Sequence, residues 1–202
     1  MNSKTENQIT PGISDSEFIR AQVPMTKEEV RAVSICKLHL TEDSVVYDIG
    51  SGTGSVAVEI ARLSESIKVF AIETNQEAVK LIKQNVKKFE LENVQVVEGK
   101  APAALEGLPA PTHAFVGGTK GALKEILLSL SQKSPVCRVV VNAVTLESVS
   151  KIHETLSELP VKNVECLQMG INRAELAGKY HILKAENPVY IFSFDFESGE
   201  KA

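Results

Sequence analysis

The sequence predicts an α/β fold built on a mostly parallel, seven-stranded sheet with helices on both faces and its last strand antiparallel. Three observations carry this. Apolar runs of strand length alternate with amphipathic stretches of helical spacing through most of the chain, the pattern of a parallel sheet covered on both sides. A glycine-rich loop follows the first strand and opens a helix. The last two apolar runs have no helical pattern between them and are expected to pair antiparallel.

The elements follow in order. Thr26 and Glu29 have capping-box spacing and are expected to open a helix from Lys27 to Leu38. Ser44 to Ile49 reads as the first buried strand, and Ser55 to Leu63 as the helix after the glycine loop. Lys68 to Ile72 is the second strand. Gln76 to Phe89 is a helix with Ala78, Val79, Ile82, Val86 and Phe89 on one face. Val94 to Val97 is the third strand, and a loop containing Pro102, Pro109 and Pro111 leads to the fourth, His113 to Val116. A helix from Ala122 to Leu130, a strand from Val136 to Val141 and a helix from Leu146 to Leu159 come next, the last stopped by Pro160. Val164 to Met169 and Val189 to Phe196 complete the sheet. In the final strand Tyr190, Phe192, Phe194 and Phe196 alternate onto one face and are expected to pack a helix. All 202 residues are expected to form one domain, with disordered tails at 1–11 and 198–202.

Composition narrows the function. Lys and Arg number 22 against 26 Asp and Glu, a net charge of -4, which disfavours a nucleic-acid partner needing a broad basic field. The absence of Trp, with 3 Tyr and 7 Phe, argues against a base-stacking platform. Cys36, Cys137 and Cys166 are far apart, and His39, His113, His153 and His181 form no metal-type pair, so neither a disulfide framework nor a metal site is expected. No apolar run is long enough to span a membrane and no secretory leader is legible, so the chain is expected to be cytoplasmic, with no membrane partner.

The chemistry centres on Asp48-Ile49-Gly50-Ser51-Gly52-Thr53-Gly54. Gly50 and Gly52 let backbone approach a ligand, and Gly54 lets the next helix start tight against the sheet. Glu73, about twenty residues further on at the tip of strand two, is placed to accept both hydroxyls of an adenosine ribose. An acid at position 48 suits the ammonium of S-adenosylmethionine and would repel a dinucleotide pyrophosphate; its alternative reading is a cap on the loop backbone. Glu73 has the alternative of an ordinary surface carboxylate. After strand three, backbone from Gly99 to Ala101 is placed to meet an adenine edge. Seven strands, this loop and the ribose acid together indicate a Rossmann-like class I methyltransferase using S-adenosylmethionine and releasing S-adenosylhomocysteine.

The remaining segments are more particular. Gly12 to Arg20, the run Val23-Pro-Met-Thr-Lys-Glu-Glu-Val-Arg31, Glu98-Gly-Lys-Ala-Pro102, Phe115-Val-Gly-Gly-Thr-Lys-Gly121, Val141-Asn-Ala-Val-Thr-Leu-Glu147 and Asn187-Pro-Val189 are collinear with one family. Over residues 12–196 the chain resembles the CbiT family, the decarboxylating C15-methyltransferases of cobalt-precorrin in cobalamin biosynthesis. The resemblance implies methylation of C15, loss of CO₂ from the C12 acetate, a small-molecule tetrapyrrole partner and a homotetramer. It carries cofactor contacts onto Thr26, the Gly50 to Gly54 loop, Glu73 and Ala101. Two segments depart from the family pattern. Lys133 to Arg138 replaces a K-P-G-G turn, and Lys120 stands where the loop after strand four normally has a small residue.

No Cys/His dyad offers itself as a catalytic base, and the reactive carbon of a conjugated tetrapyrrole is its own nucleophile, so no catalytic residue is assigned. A polycarboxylate acceptor calls for a local basic rim. Lys120, Arg173 and His181 are the main candidates for its carboxylates, with Arg20, Lys27, Arg31 and Lys179 behind them; solvated surface is the alternative for each. The other functions open at this level are a tRNA or other macromolecular methyltransferase and a non-catalytic subunit that keeps the fold.

Overall fold

The computed structural model describes residues 10–197. Of the expected disordered tails, 1–9 and 198–202 lie outside the described residues, and Thr10 and Pro11 lie within them. The elements run α1 (Glu28–Leu38), β1 (Val45–Ile49), α2 (Ser55–Ala61), β2 (Lys68–Glu73), α3 (Gln76–Lys88), β3 (Val94–Glu98), β4 (His113–Val116), α4 (Leu123–Lys133), β5 (Arg138–Ala143), α5 (Leu146–Glu158), β6 (Val161–Met169), β7 (Asn172–Ala177), β8 (Tyr180–Ala185) and β9 (Val189–Phe196). Each expected element is present; β4 and β9 have the expected bounds, and the ends of the others differ by a few residues at most.

Seven strands form one sheet in the order β3-β2-β1-β4-β5-β9-β6. All are parallel except β9, which pairs antiparallel with β5 on one side and β6 on the other. This is the expected class. The chain builds outward from β1 in one direction and then returns to β4 on its other side, so a topological switch lies between β1 and β4. Ligands of open α/β sheets bind at such a point, beyond the carboxyl ends of the strands.

Period-2 alternation assigns the two faces. Tyr47, Ile49, Phe70, Ile72 and Val141 pack with Leu123, Ile126, Leu127 and Leu130 of α4 and Ile152 and Leu156 of α5. Phe192, Phe194 and Phe196 join this layer, as their spacing predicted. Val46, Val69, Ala71, Phe115, Val140 and Ile191 face the other way, against Val30, Ile35 and Leu38 of α1, Val56 and Ile60 of α2, and Ile82 of α3. Burial of β1 on both sides explains its largely apolar sequence, broken only by Asp48.

Two expectations need correction. Thr26 and Glu29 do not cap α1: its N-cap is Lys27, with no side-chain cap. The Glu29 carboxylate, which a capping box would turn back towards Thr26, instead accepts from Arg173. The connection from β6 to β9, expected only to lack a helix, contains a two-stranded antiparallel hairpin, β7 with β8, outside the main sheet. Gly178 turns it with φ +63°. Every residue of both strands is exposed, so no buried face marked them in the sequence. Among the described residues no helix is long and apolar enough to cross a membrane.

Candidate active site

A cleft of about 750 Å³ opens at the carboxyl ends of β1 to β5, at the topological switch. Residues 22–27 form one wall. The glycine loop lines its base in a conformation that requires glycine. Gly50 has φ +73°, and a Cβ there would sit 2.4 Å from the Gly118 carbonyl oxygen of the loop after β4. Gly52 has φ +58°, and its Cβ would sit 2.7 Å from the Pro24 carbonyl oxygen. A Cβ on Gly54 would sit 3.1 Å from Ile82 Cγ2 of α3, so the close approach expected with the sheet is instead with a helix.

Glu73 ends β2 at the cleft wall and is clasped by backbone. One carboxylate oxygen accepts from the amides of Thr74 and Asn75 at 2.7 and 2.8 Å, and the other accepts from the Gly52 amide at 3.0 Å. The second oxygen keeps a lone pair for a further donor. Gly99 donates from its amide to the Glu73 carbonyl, which brings the start of the loop after β3 beside the acid.

Asp48 lies behind the glycine loop with no exposed surface. Its Oδ2 accepts from the Ser51 hydroxyl at 2.6 Å and the Ala57 amide at 3.2 Å, and its Oδ1 has no hydrogen-bond partner among the described residues. Burial pushes its pKa up to about 7; the two hydrogen bonds oppose that rise and the charge of Glu73 adds to it. The Thr53 hydroxyl is buried and likewise unpartnered.

Of the residues singled out from sequence, Thr26, Gly50, Ser51, Gly52, Glu73, Gly99, Ala101 and Lys120 line the cleft, while Asp48, Thr53 and Gly54 sit behind its wall. Lys120, held at φ +48°, reaches the Thr74 hydroxyl at 2.6 Å. Arg173 and His181 are on the exposed hairpin and do not line the cleft of this chain. Arg173 is held by Glu29 and Glu186 at 2.7 and 2.6 Å. Arg31 is no rim residue: its side chain is fully buried, bonded to Glu59 and Asp15.

The cleft also has lysines that the sequence reading passed over. Lys100 and Lys151 join Lys27 and Lys120 in its lining. Lys100 adjoins a glycine already singled out, so its position was a usable signal. Lys151 was not findable locally, because only the packing of α5 beside β5 brings it there. Between these lysines the wall is apolar: Val116, Leu123, Ile126, Val141 and Ile152. One half of the cleft is therefore backbone and carboxylate, and the other is an apolar wall with ammonium groups around it.

Comparison with known proteins places this architecture. A family model described as precorrin methyltransferase domain matches residues 17–195. The chain belongs to this family. It is 42% identical over 185 residues to a Sulfurisphaera tokodaii protein named probable cobalt-precorrin-6B C(15)-methyltransferase (decarboxylating), across 90% of this chain and 95% of that one. A Methanocaldococcus jannaschii protein of the same name is 38% identical over 182 residues, across 89% and 95%. Among solved structures, a precorrin-6y C5,15-methyltransferase from Geobacter metallireducens superposes with TM-score 0.87 at 36% identity, covering 93% of this chain and 98% of that one. A precorrin 8W decarboxylase from Methanobacterium thermoautotrophicum gives 0.84 at 34%, covering 90% and 98%. An S-adenosylmethionine-dependent O-methyltransferase from Thermotoga maritima, 18% identical with TM-score 0.75 over 91% of this chain and 69% of that one, shares the fold. The resemblance read from the sequence and the class I methyltransferase fold are both borne out.

Proposed function

We propose that this chain methylates C15 of a cobalt-precorrin with S-adenosylmethionine and removes CO₂ from the C12 acetate, a step of cobalamin biosynthesis. The observation that carries the reading is the Gly52 amide bonded to Glu73 at the base of a cleft whose other half is apolar and edged by four lysines. The donor fits the residues present. Gly50 and Gly52 keep the base clear of side chains, Glu73 retains an acceptor for a ribose hydroxyl, and Asp48 behind the loop, in its deprotonated form, supplies negative potential for a methionine ammonium. When bound, the donor's sulfonium supplies the methyl group and leaves as S-adenosylhomocysteine.

The chain's own contribution is alignment and exclusion of water. Val116, Val141 and Leu123 give the reacting carbon an apolar surround, and Lys27, Lys100, Lys120 and Lys151 offer charge-assisted hydrogen bonds to peripheral carboxylates. CO₂ loss breaks the bond between the acetate methylene and its carboxyl carbon, and the electron pair passes into the substrate's own conjugated imine system, which serves as the sink. We place the enzyme in the cytoplasm as a homotetramer, a state that the exposed β7–β8 hairpin is suited to support.

The deciding experiment is mass spectrometry of the product after incubation with a cobalt-precorrin and S-adenosylmethionine. The expected product is heavier by CH₂ and lighter by CO₂. Methylation with the carboxyl retained would divide the two activities, and no turnover would overturn the reading.

A further inference from the structure

The wall of the cleft formed by residues 22–27 belongs to a chain segment suspended between two buried polar anchors. The first anchor is Asn85 of α3, which has no exposed surface. Its Oδ1 accepts from the Ile19 amide at 2.8 Å, and its Nδ2 donates to the Ile19 carbonyl at 3.1 Å and to the Thr53 carbonyl of the glycine loop at 2.9 Å. One carboxamide thus holds both the segment and the loop that it overlies. The second anchor is Arg31 of α1. Its Nη1 donates to the Thr26 carbonyl at 2.5 Å and to Asp15 at 3.0 Å, its Nη2 to the Ile13 carbonyl, and its Nε to Glu59 at 2.5 Å. Glu59 also accepts from the amides of Gly12 and Ile13 at 2.7 and 3.0 Å. The Phe18 ring stacks under the guanidinium with its centroid 4.8 Å away.

Between the anchors, residues 20–25 make no hydrogen bond or ion pair among the described residues. They form a bridge that leans on the glycine loop through Pro24 and Gly52 and on the small cluster of Ile13, Phe18 and Val58 through Met25. A segment with unpaired backbone has little to fix its conformation besides its two ends. Buried polar groups are retained where every member is satisfied, and here the satisfied members converge on the two residues that flank the bridge.

We infer that Asn85 and Arg31 are positioning residues for the methyl-donor half of the cleft: by clamping Ile19 and Thr26 they hold the 20–25 bridge against the glycine loop and preform that wall. The inference rests on the proposed donor site. It also explains the use of arginine at position 31, since four of its five N–H groups are directed at three separate chain segments, a reach that an ammonium lacks.

Arg20 lies within the bridge, is exposed and has no partner among the described residues, so trypsin reports on the bridge directly. Cleavage after Arg20 requires the bridge to lift, and its rate follows the population of the lifted state. In ligand-free protein Asn85→Ala is expected to speed this cut about tenfold, the scale of losing a buried hydrogen-bonded clamp. Two glycines inserted between Ala21 and Gln22 add slack without touching either anchor, so the fold is retained even where Asn85→Ala lowers it. That variant is expected to weaken S-adenosylhomocysteine binding in calorimetry and to raise the donor KM about tenfold, with kcat at saturating donor unchanged, because the cost falls on donor binding and not on the methyl-transfer step. An unchanged cleavage rate in folded Asn85→Ala, or parental affinity in the insertion variant, overturns the inference. If the unaltered protein fails to bind S-adenosylhomocysteine, the donor reading itself falls, while the ligand-free cleavage rates still decide whether Asn85 holds the bridge.

Discussion

Asp48 has no exposed surface, and one of its oxygens has no hydrogen-bond partner among the described residues. A carboxylate in that position is costly unless it is protonated or meets a cation. Burial, aided by the neighbouring charge of Glu73 and opposed by the bonds from Ser51 and Ala57, raises its pKa from 3.8 to about 7. The sign follows. The folded state keeps the proton up to near pH 7, whereas the unfolded chain releases it near pH 4, so the unfolded state binds fewer protons in between. Asp48 therefore makes stability fall as pH rises through that window, by something on the order of 4 kcal/mol, and adds no slope above it. Asp48→Asn should lose this component. Urea melts from pH 4 to pH 8 are expected to show the variant gaining on the parent as pH rises, while its affinity for S-adenosylmethionine drops. A stability difference that stays constant with pH would show that Asp48 does not carry the proton.

At the scale of an element, β9 shows how much a short apolar pattern can specify. Its even positions bury Phe192, Phe194 and Phe196 under α4 and α5, and its odd position Ile191 joins the opposite layer. Phe194 and Phe196 meet edge to face, with ring centroids 5.7 Å apart. Phe194→Ala is expected to cost about 3–5 kcal/mol in urea unfolding, because the rings around it leave the cavity unfilled. Phe194 pairs with Val139 and Tyr190 with Ala143 at the cleft end of β5, so donor binding by the folded variant should survive. The β9 stripe was legible because burial on one face imposes a period of two. The hairpin β7–β8 has no buried face and so left only a glycine turn to read. The expected capping box at α1 failed for a different reason: the helix begins at Glu28 with Lys27 as its N-cap, and the Glu29 carboxylate that the box would have used is taken by Arg173 of the hairpin.

Across the whole molecule, a chain of net charge -4 concentrates four lysines around one cleft and exposes Leu176, Tyr180, Ile182 and Leu183 on one hairpin. Apolar side chains gathered on a two-stranded ribbon, itself seldom stable alone, are suited to burial between copies. Leu176→Glu with Leu183→Glu is expected to convert a tetramer to monomer in light scattering and leave the seven-stranded sheet intact by circular dichroism; a parent that is already monomeric would refute the tetramer.

The elements of the main sheet with their helices, the glycine loop and an acid at the tip of β2 were readable from residues alone, because local periodicity, turn chemistry and spacing after a strand depend on near neighbours. Which cations reach the cleft was not. Arg31 disappears into the core, Arg173 is held by two carboxylates, and Lys151 arrives at the site from α5. A charged side chain's place depends on which distant segments pack beside it, and that is settled only when the sheet and its helices close together.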